Sequence, residues 1–213
     1  MLISMQDQDL MRDPEIKQMT DMQSLYLTVW NVFFVLLYFA VALVCDVATI
    51  THRDHLLPKS VRNFRKTLFS VIVFPTSFLI FEIFWPLFIY DRGLLFPAFI
   101  DKIFSFKSNL VMHASILPLA LWEVVFLPRT EPASHVKNLA ILIPYPIVYI
   151  GYVLYNHSKR GVFPYPVFNM IYGTVYFPVF LLVSFIIYYS NYRLQWVITN
   201  KMWGKSKINK KYT

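Results

Sequence analysis

Five apolar runs, each near the roughly 20 residues that an α-helix needs to cross a bilayer, constrain this chain more than any other feature. They are Leu25 to Cys45, Leu68 to Ile89, Asn109 to Phe126, Leu139 to Tyr155 and Val167 to Ser190. The third is short and carries Pro118, the fourth has Pro144 and Pro146 near its start, and the fifth contains Pro178. None alternates polar and apolar residues as a half-buried strand does, and no internal repeat is visible. The expected fold is all-α, a polytopic transmembrane helical bundle of about five spanning helices. It divides into a polar N-terminal segment, 1–23, a transmembrane domain, 24–192, and a basic C-terminal tail, 193–213.

Composition agrees with that class. Hydrophobic types make up 57% of the chain and charged types 15%, where a soluble domain carries roughly 25%. The 20 Phe and 14 Tyr suit the aromatic belts at a membrane interface. The 13 Pro are tolerated in bundled spans because neighbouring helices satisfy the freed carbonyls. The net charge of +8 does not point to nucleic acid, because the basic residues lie between apolar runs and in the tail. Cys45 stands alone, so no internal disulfide is expected. Residues 1–23 are polar and acidic without an apolar core, so the first run reads as an uncleaved anchor rather than a signal peptide.

The loops carry an orientation signal. Lys and Arg number 2 before the first run, then 5, 3, 2 and 2 in the four loops, and 6 in the tail. With five spans, the first loop, third loop and tail share a side and hold 13 of the 20 basic residues. The positive-inside rule places that side, and the tail, in the cytoplasm, in an endomembrane or the plasma membrane. The tail cluster KMWGKSKINKK, Lys201 to Lys211, reads first as a stop-transfer flank, and it also has the composition that binds anionic lipid.

Polar side chains inside apolar runs are costly in hydrocarbon, so each is a candidate for function. Ser24, Thr28, Asn31, Tyr38 and Cys45 fall on one face of the first helix. Asn109, His113, Ala120 and Glu123 fall on one face of the third. Two inward polar stripes predict a polar cavity within the bundle. Thr28 lies about 4.5 Å and His113 about 6 Å from their helix starts at 1.5 Å per residue. Both helices start on the same side, so the two side chains share a depth. A hydroxyl and an imidazole within reach form a minimal nucleophile–base pair.

Asp91 is the candidate for orienting the imidazole. His52 and His55 lack ligands at zinc spacing and read as solvated loop residues. His157 is a candidate for lining the cavity, and Glu82 and Glu123 for a polar pair or a proton path. No G-x-S-x-G, H-E-x-x-H, Walker loop or C-x-x-C occurs, which disfavours soluble-type serine hydrolases, zinc proteases and nucleotidases.

Several stretches resemble the androgen-induced-gene family of membrane proteins. They are YLTVWNVFFVLLYF (Tyr26 to Phe39), VCDVATITHR (Val44 to Arg53), FEIFWPLFIYDR (Phe81 to Arg92), VMHASILPLALWE (Val111 to Glu123) and YPVF (Tyr165 to Phe168). The resemblance implies a multipass hydrolase of fatty acid esters of hydroxy fatty acids, with an intramembrane threonine and histidine. The family threonine falls on Thr28 and the family histidine on His113. Departures are the polar N-terminal stretch, Asn31 where relatives often have Asp, and Cys45 where they have Thr.

The function expected is ester hydrolysis with Thr28 as nucleophile and His113 as base, a lipid ester as substrate, the bilayer as partner, and no cofactor or metal. The alternative is a non-catalytic lipid-binding or regulatory multipass protein. A third reading is a small transporter using Glu82, Glu123 and His113, although transporters of that kind often show inverted repeats.

Overall fold

The structure, a computed structural model, describes residues 12–204, and every regular element among them is helical. Short α1 (Pro14–Asp21) precedes the first long helix, α2 (Leu27–Ile50). Helices α3 (Lys59–Leu68) and α4 (Phe74–Asp91) form one continuous rod through the π-helical turn Phe69–Val73. The third crossing is α5 (Phe106–His113) with α6 (Ile116–Phe126), and the fourth is α7 (Val136–Leu142) with α8 (Pro144–Arg160). After short α9 (Pro166–Ile171) comes the last span, α10 (Tyr176–Trp203). Five helical stretches are long and apolar enough to cross a membrane, so the chain is a multipass helical bundle. In the most apolar window of the second span 72% of residues are buried, against 17–22% in the others. The second span is therefore the central column, and the others expose one side to lipid.

Prolines set the internal breaks. Pro75 has no N–H to give the Val71 carbonyl, and the hydroxyl of Tyr188 donates to that carbonyl at 2.7 Å. In the π turn the Phe74 N–H bonds the Phe69 carbonyl, which frees the Ser70 carbonyl for the Gln195 side-chain amide at 2.6 Å. Two α10 side chains thus replace the backbone partners that proline and the π register remove. In the third crossing, the Leu117 N–H turns to the Ala114 carbonyl, and the indole of Trp85 donates to the freed His113 carbonyl at 3.2 Å. The fourth crossing breaks before Pro144, and α8 ends at Gly161, whose φ of 72° is the left-handed cap that glycine adopts without strain.

The observed spans run a few residues beyond most of the apolar runs, to Ile50 in the first, from Phe106 in the third and over Val136–Arg160 in the fourth, and two differences are larger. The second span starts at Lys59, because the basic stretch before Leu68 continues the same helix. The fifth run divides. Residues 166–171 form α9, Gly173 turns the chain, and α10 then runs from Tyr176 past 192 to Trp203. The extension buries Gln195, Trp196 and Thr199; Gln195 bonds the Ser70 carbonyl, and the Trp196 ring packs against Arg129 and Tyr192. Residues 205–213, which hold most of the basic tail cluster, lie outside the described residues.

Candidate active site

The beginning of α2 is held by tyrosines rather than by a capping side chain. Its N-cap residue, Tyr26, supplies no side-chain cap. The Leu27 N–H donates to the Tyr165 hydroxyl at 2.8 Å, and the Tyr149 hydroxyl donates to the Leu25 carbonyl at 2.9 Å. The Tyr26 hydroxyl reaches the Pro164 carbonyl at 3.2 Å. Burial pushes the hydroxyls of Tyr26 and Tyr165 above the ordinary tyrosine value, so both stay neutral. These bonds fix the first turn of α2, and Thr28 sits on that turn.

Thr28 and His113 meet. Thr28 Oγ1 lies 3.2 Å from His113 Nε2, across 85 residues of sequence, and the pair is buried. His113 Nδ1 lies 3.2 Å from the carbonyl oxygen of Asn109, one turn back on α5. A carbonyl can only accept, so Nδ1 carries the proton and Nε2 is left to accept from the Thr28 hydroxyl. The imidazole stacks on Phe84 with ring centroids 3.7 Å apart and planes 15° apart. Ring tautomer and ring plane are both set before any ligand arrives.

The pair opens on a cavity of about 210 Å³. Its wall is mostly apolar, not polar as the two stripes predict, with Leu79, Ile83, Phe84, Phe96 and Phe180 among the lining residues; most of the stripe residues bond one another or pack between helices instead of facing it. Asn109, Thr76 and Tyr145 also line it, and their side-chain polar atoms have no hydrogen-bond partner among the described residues. Helix α1 covers this end of the bundle. Met19 packs with Phe84, Phe96 and Ile100, and Asp13 pairs with Lys102 at 2.6 Å.

The remaining candidates lie elsewhere. Asp91 accepts from the Gly93 N–H at 2.8 Å and makes no bond to His113. The Asn109 carbonyl takes the orienting position instead. Asn31 pairs with Ser77 at 3.2 Å. Glu82 and Glu123 form no pair: Asn191 donates to Glu82 at 2.6 Å, while Tyr38 and Arg65 bond Glu123. His157 stacks on Phe163 outside the cavity wall. His52 and His55 are exposed, and no cluster of metal-ligating side chains occurs among the described residues. Cys45 is buried at the far end of α2.

Sequence reasoning placed Asn109 on the polar stripe but gave it no role, although its i, i+4 spacing from His113 was the available signal. Phe84 and Trp85 carried no signal, because their contacts with His113 arise only from packing.

The description FAR-17a/AIG1-like protein belongs to the family model that matches residues 4–200. Androgen-dependent TFPI-regulating protein of Mesocricetus auratus is 35% identical over 194 residues, covering 90% of this chain and 82% of its own. The Homo sapiens protein of that name is 30% identical over 186 residues, 87% of this chain and 80% of its own. Androgen-induced gene 1 protein of Homo sapiens is 23% identical over 147 residues, 66% and 61% of the two chains. No solved structure matches. The matched length and these identities make the chain a member of the FAR-17a/AIG1-like family of multipass membrane proteins.

Proposed function

We propose that this protein hydrolyses lipid esters within the membrane, with fatty acid esters of hydroxy fatty acids as the substrate class. The observation that carries the reading is the hydrogen bond between Thr28 and His113, with the far nitrogen of the imidazole held by Asn109. The Thr28 oxygen attacks the ester carbonyl while its proton passes to His113 Nε2. The tetrahedral adduct collapses to an acyl-threonine, and His113 returns the proton to the departing alcohol oxygen. Water then attacks the acyl group with His113 again as base, releasing the fatty acid and restoring Thr28. General acid–base help of this kind supplies roughly 10²–10⁴-fold.

The cavity supports that substrate class. It is smaller than the roughly 300–1,000 Å³ that encloses a whole drug-sized ligand. It suits an ester and its flanking methylenes, with both chain ends running into the bilayer. The tail lies in the cytoplasm on this reading, and Thr28 faces the other side.

The test is turnover of a palmitoyl ester of hydroxystearic acid by the protein in nanodiscs. Thr28→Ala and His113→Ala are each expected to lower kcat by at least about 10³-fold while the protein still inserts. A fluorophosphonate should label wild type and not Thr28→Ala. Full turnover by Thr28→Ala removes the mechanism. Binding of the ester with neither turnover nor labelling leaves the non-catalytic lipid-binding alternative, which the apolar cavity also suits.

A further inference from the structure

Asn109 is 1% exposed, lines the cavity, and has neither Nδ2 nor Oδ1 bonded to any described residue. A buried primary amide without partners is costly, and sites that leave one open are ordinarily completed by a ligand. Its place is specific. Asn109 stands one turn before His113 on the same face of α5, so the two side chains are neighbours.

A second open donor belongs to Thr28, which also lines the cavity. Helix geometry leaves the first four N–H groups of α2 without intrahelical acceptors. The Tyr26 N–H goes to the Gln23 carbonyl, the Val29 N–H to the Tyr26 carbonyl, and the Leu27 N–H to the Tyr165 hydroxyl. The Thr28 N–H has no acceptor among the described residues. It sits at the N-terminus of a 24-residue helix, where the dipole favours negative charge.

We propose that Asn109 Nδ2 and the Thr28 backbone N–H form the oxyanion site of the ester hydrolysis, a proposal that rests on the hydrolase reading above. As Thr28 Oγ bonds to the carbonyl carbon, the C=O π electrons move onto the carbonyl oxygen. That oxygen gains its negative charge between the two donors, while the Thr28 proton sits on His113. The charge returns to a C=O bond when the alcohol leaves and takes the proton. The Asn109 backbone carbonyl orients the base while its side chain meets the charge that the base helps to create. One residue thus serves both ends of the proton transfer.

Asn109→Ala and Asn109→Leu test the assignment in nanodiscs, with the palmitoyl ester of hydroxystearic acid as substrate. The Leu variant keeps the volume and removes every donor, where a buried Asp would stay protonated and still donate. Removing one oxyanion donor lowers kcat by about 10²–10³-fold, and both variants should show that loss with KM within threefold. The Kd of the ether analogue, which has no carbonyl, should not change. The affinity of an alkyl boronic acid, which mimics the tetrahedral adduct, should fall in step with kcat. Either variant turning over within fivefold of wild type overturns the assignment. So does loss of ether-analogue binding in parallel with kcat, which makes the role structural. Thr28→Ala in the same preparation separates the two layers. If wild type is active, Thr28→Ala is dead and Asn109→Ala is active, only the oxyanion site falls. If wild type itself turns over nothing, the hydrolase reading and this proposal fall together.

Discussion

Phe84→Leu isolates what holds the imidazole flat. Phe84 is 7% exposed and lies parallel to His113 at 3.7 Å. It also stacks on Phe88 at 5.3 Å and 24°. Truncation to alanine would open a hole costing about 3–5 kcal/mol, which would confound any rate. Leucine keeps most of the volume and removes only the flat contact. An aromatic pair is worth about 0.5–1.5 kcal/mol beyond its buried area. If that energy holds the ring in line with Thr28, its loss divides the acylation rate by about 2 to 13, at 1.36 kcal/mol per decade. The assay is single-turnover release of p-nitrophenol from p-nitrophenyl octanoate, which reports acylation alone. Phe88→Leu is the control, since Phe88 touches Phe84 but not the imidazole, and its rate should stay within twofold of wild type. An unchanged rate in Phe84→Leu shows that the Asn109 and Thr28 bonds suffice to hold the ring. A loss beyond about 100-fold would equally refute the reasoning, because ring stacking cannot supply that much.

Tyr188→Phe should destabilise the bundle by about 1–2 kcal/mol, because it leaves the fully buried Val71 carbonyl without its 2.7 Å donor. In a Pro75→Ala background the restored N–H takes that carbonyl, and the penalty should shrink below about 0.5 kcal/mol. Equal penalties in unfolding titrations of the two backgrounds would show that proline is not the cause. The α1 cover should depend on pH in one direction. The hydrogen bond between Lys102 and Asp13 holds the Asp13 carboxyl below, and the Lys102 ammonium above, their ordinary values. A depressed acid contributes stability above its ordinary range and loses it as pH falls through the depressed value. A raised base loses its contribution only as pH rises through the raised value. Hydrogen exchange in Pro14–Asp21, corrected for the intrinsic rate, should be steady from about pH 5 to 9 and quicken below the carboxylate range. Exchange that quickens first near neutral pH would assign the cover to another contact.

Much of the site was legible because it depends on depth and helical face, two quantities that sequence encodes directly. Thr28, Asn31, Tyr38 and Cys45 repeat at helical spacing and are buried, whereas Ser24, expected on the same face, lies before α2 and is exposed. Asn109, His113, Ala120 and Glu123 are all buried. Similar distances from the two expected helix starts put Thr28 and His113 at one depth, and the family resemblance named the same pair, although the observed starts, Leu27 and Phe106, set them one and seven residues in. What stayed hidden depends on tertiary partners. Nothing in the spacing of Phe84 distinguishes a ring under an imidazole from a ring facing lipid. The extension of α10 to Trp203 carries Arg193 and Lys201, which hydropathy reads as tail. Gln195 is drawn into the bundle by a carbonyl that the π turn exposes 125 residues away. Glu82 and Glu123 looked alike in sequence, yet Glu82, on the central column, meets Asn191 of α10, while Glu123, on α6, meets Arg65 at the basic end of that column.

The bundle separates its polar groups by kind. At one end of α2 and α6, Arg65 bridges Asp46 at 2.7 Å and Glu123 at 3.3 Å. Beside them Arg129 lies over Phe69 and Trp196, its guanidinium lowered by burial to about 10 and still charged at neutral pH. Eighteen residues up α2 from Asp46, about 27 Å by helical rise, the Thr28 site holds only neutral groups. Desolvating an ion pair costs several kcal/mol per ion, whereas a hydroxyl bonded to a neutral imidazole keeps most of its energy in an apolar cavity. A neutral resting pair also leaves the first turn of α2 without a permanent counter-charge. Under the proposed hydrolase mechanism, the field at that helix end then acts on charge that exists only while the ester carbon is tetrahedral, which is the condition for lowering a barrier rather than tightening a ground state.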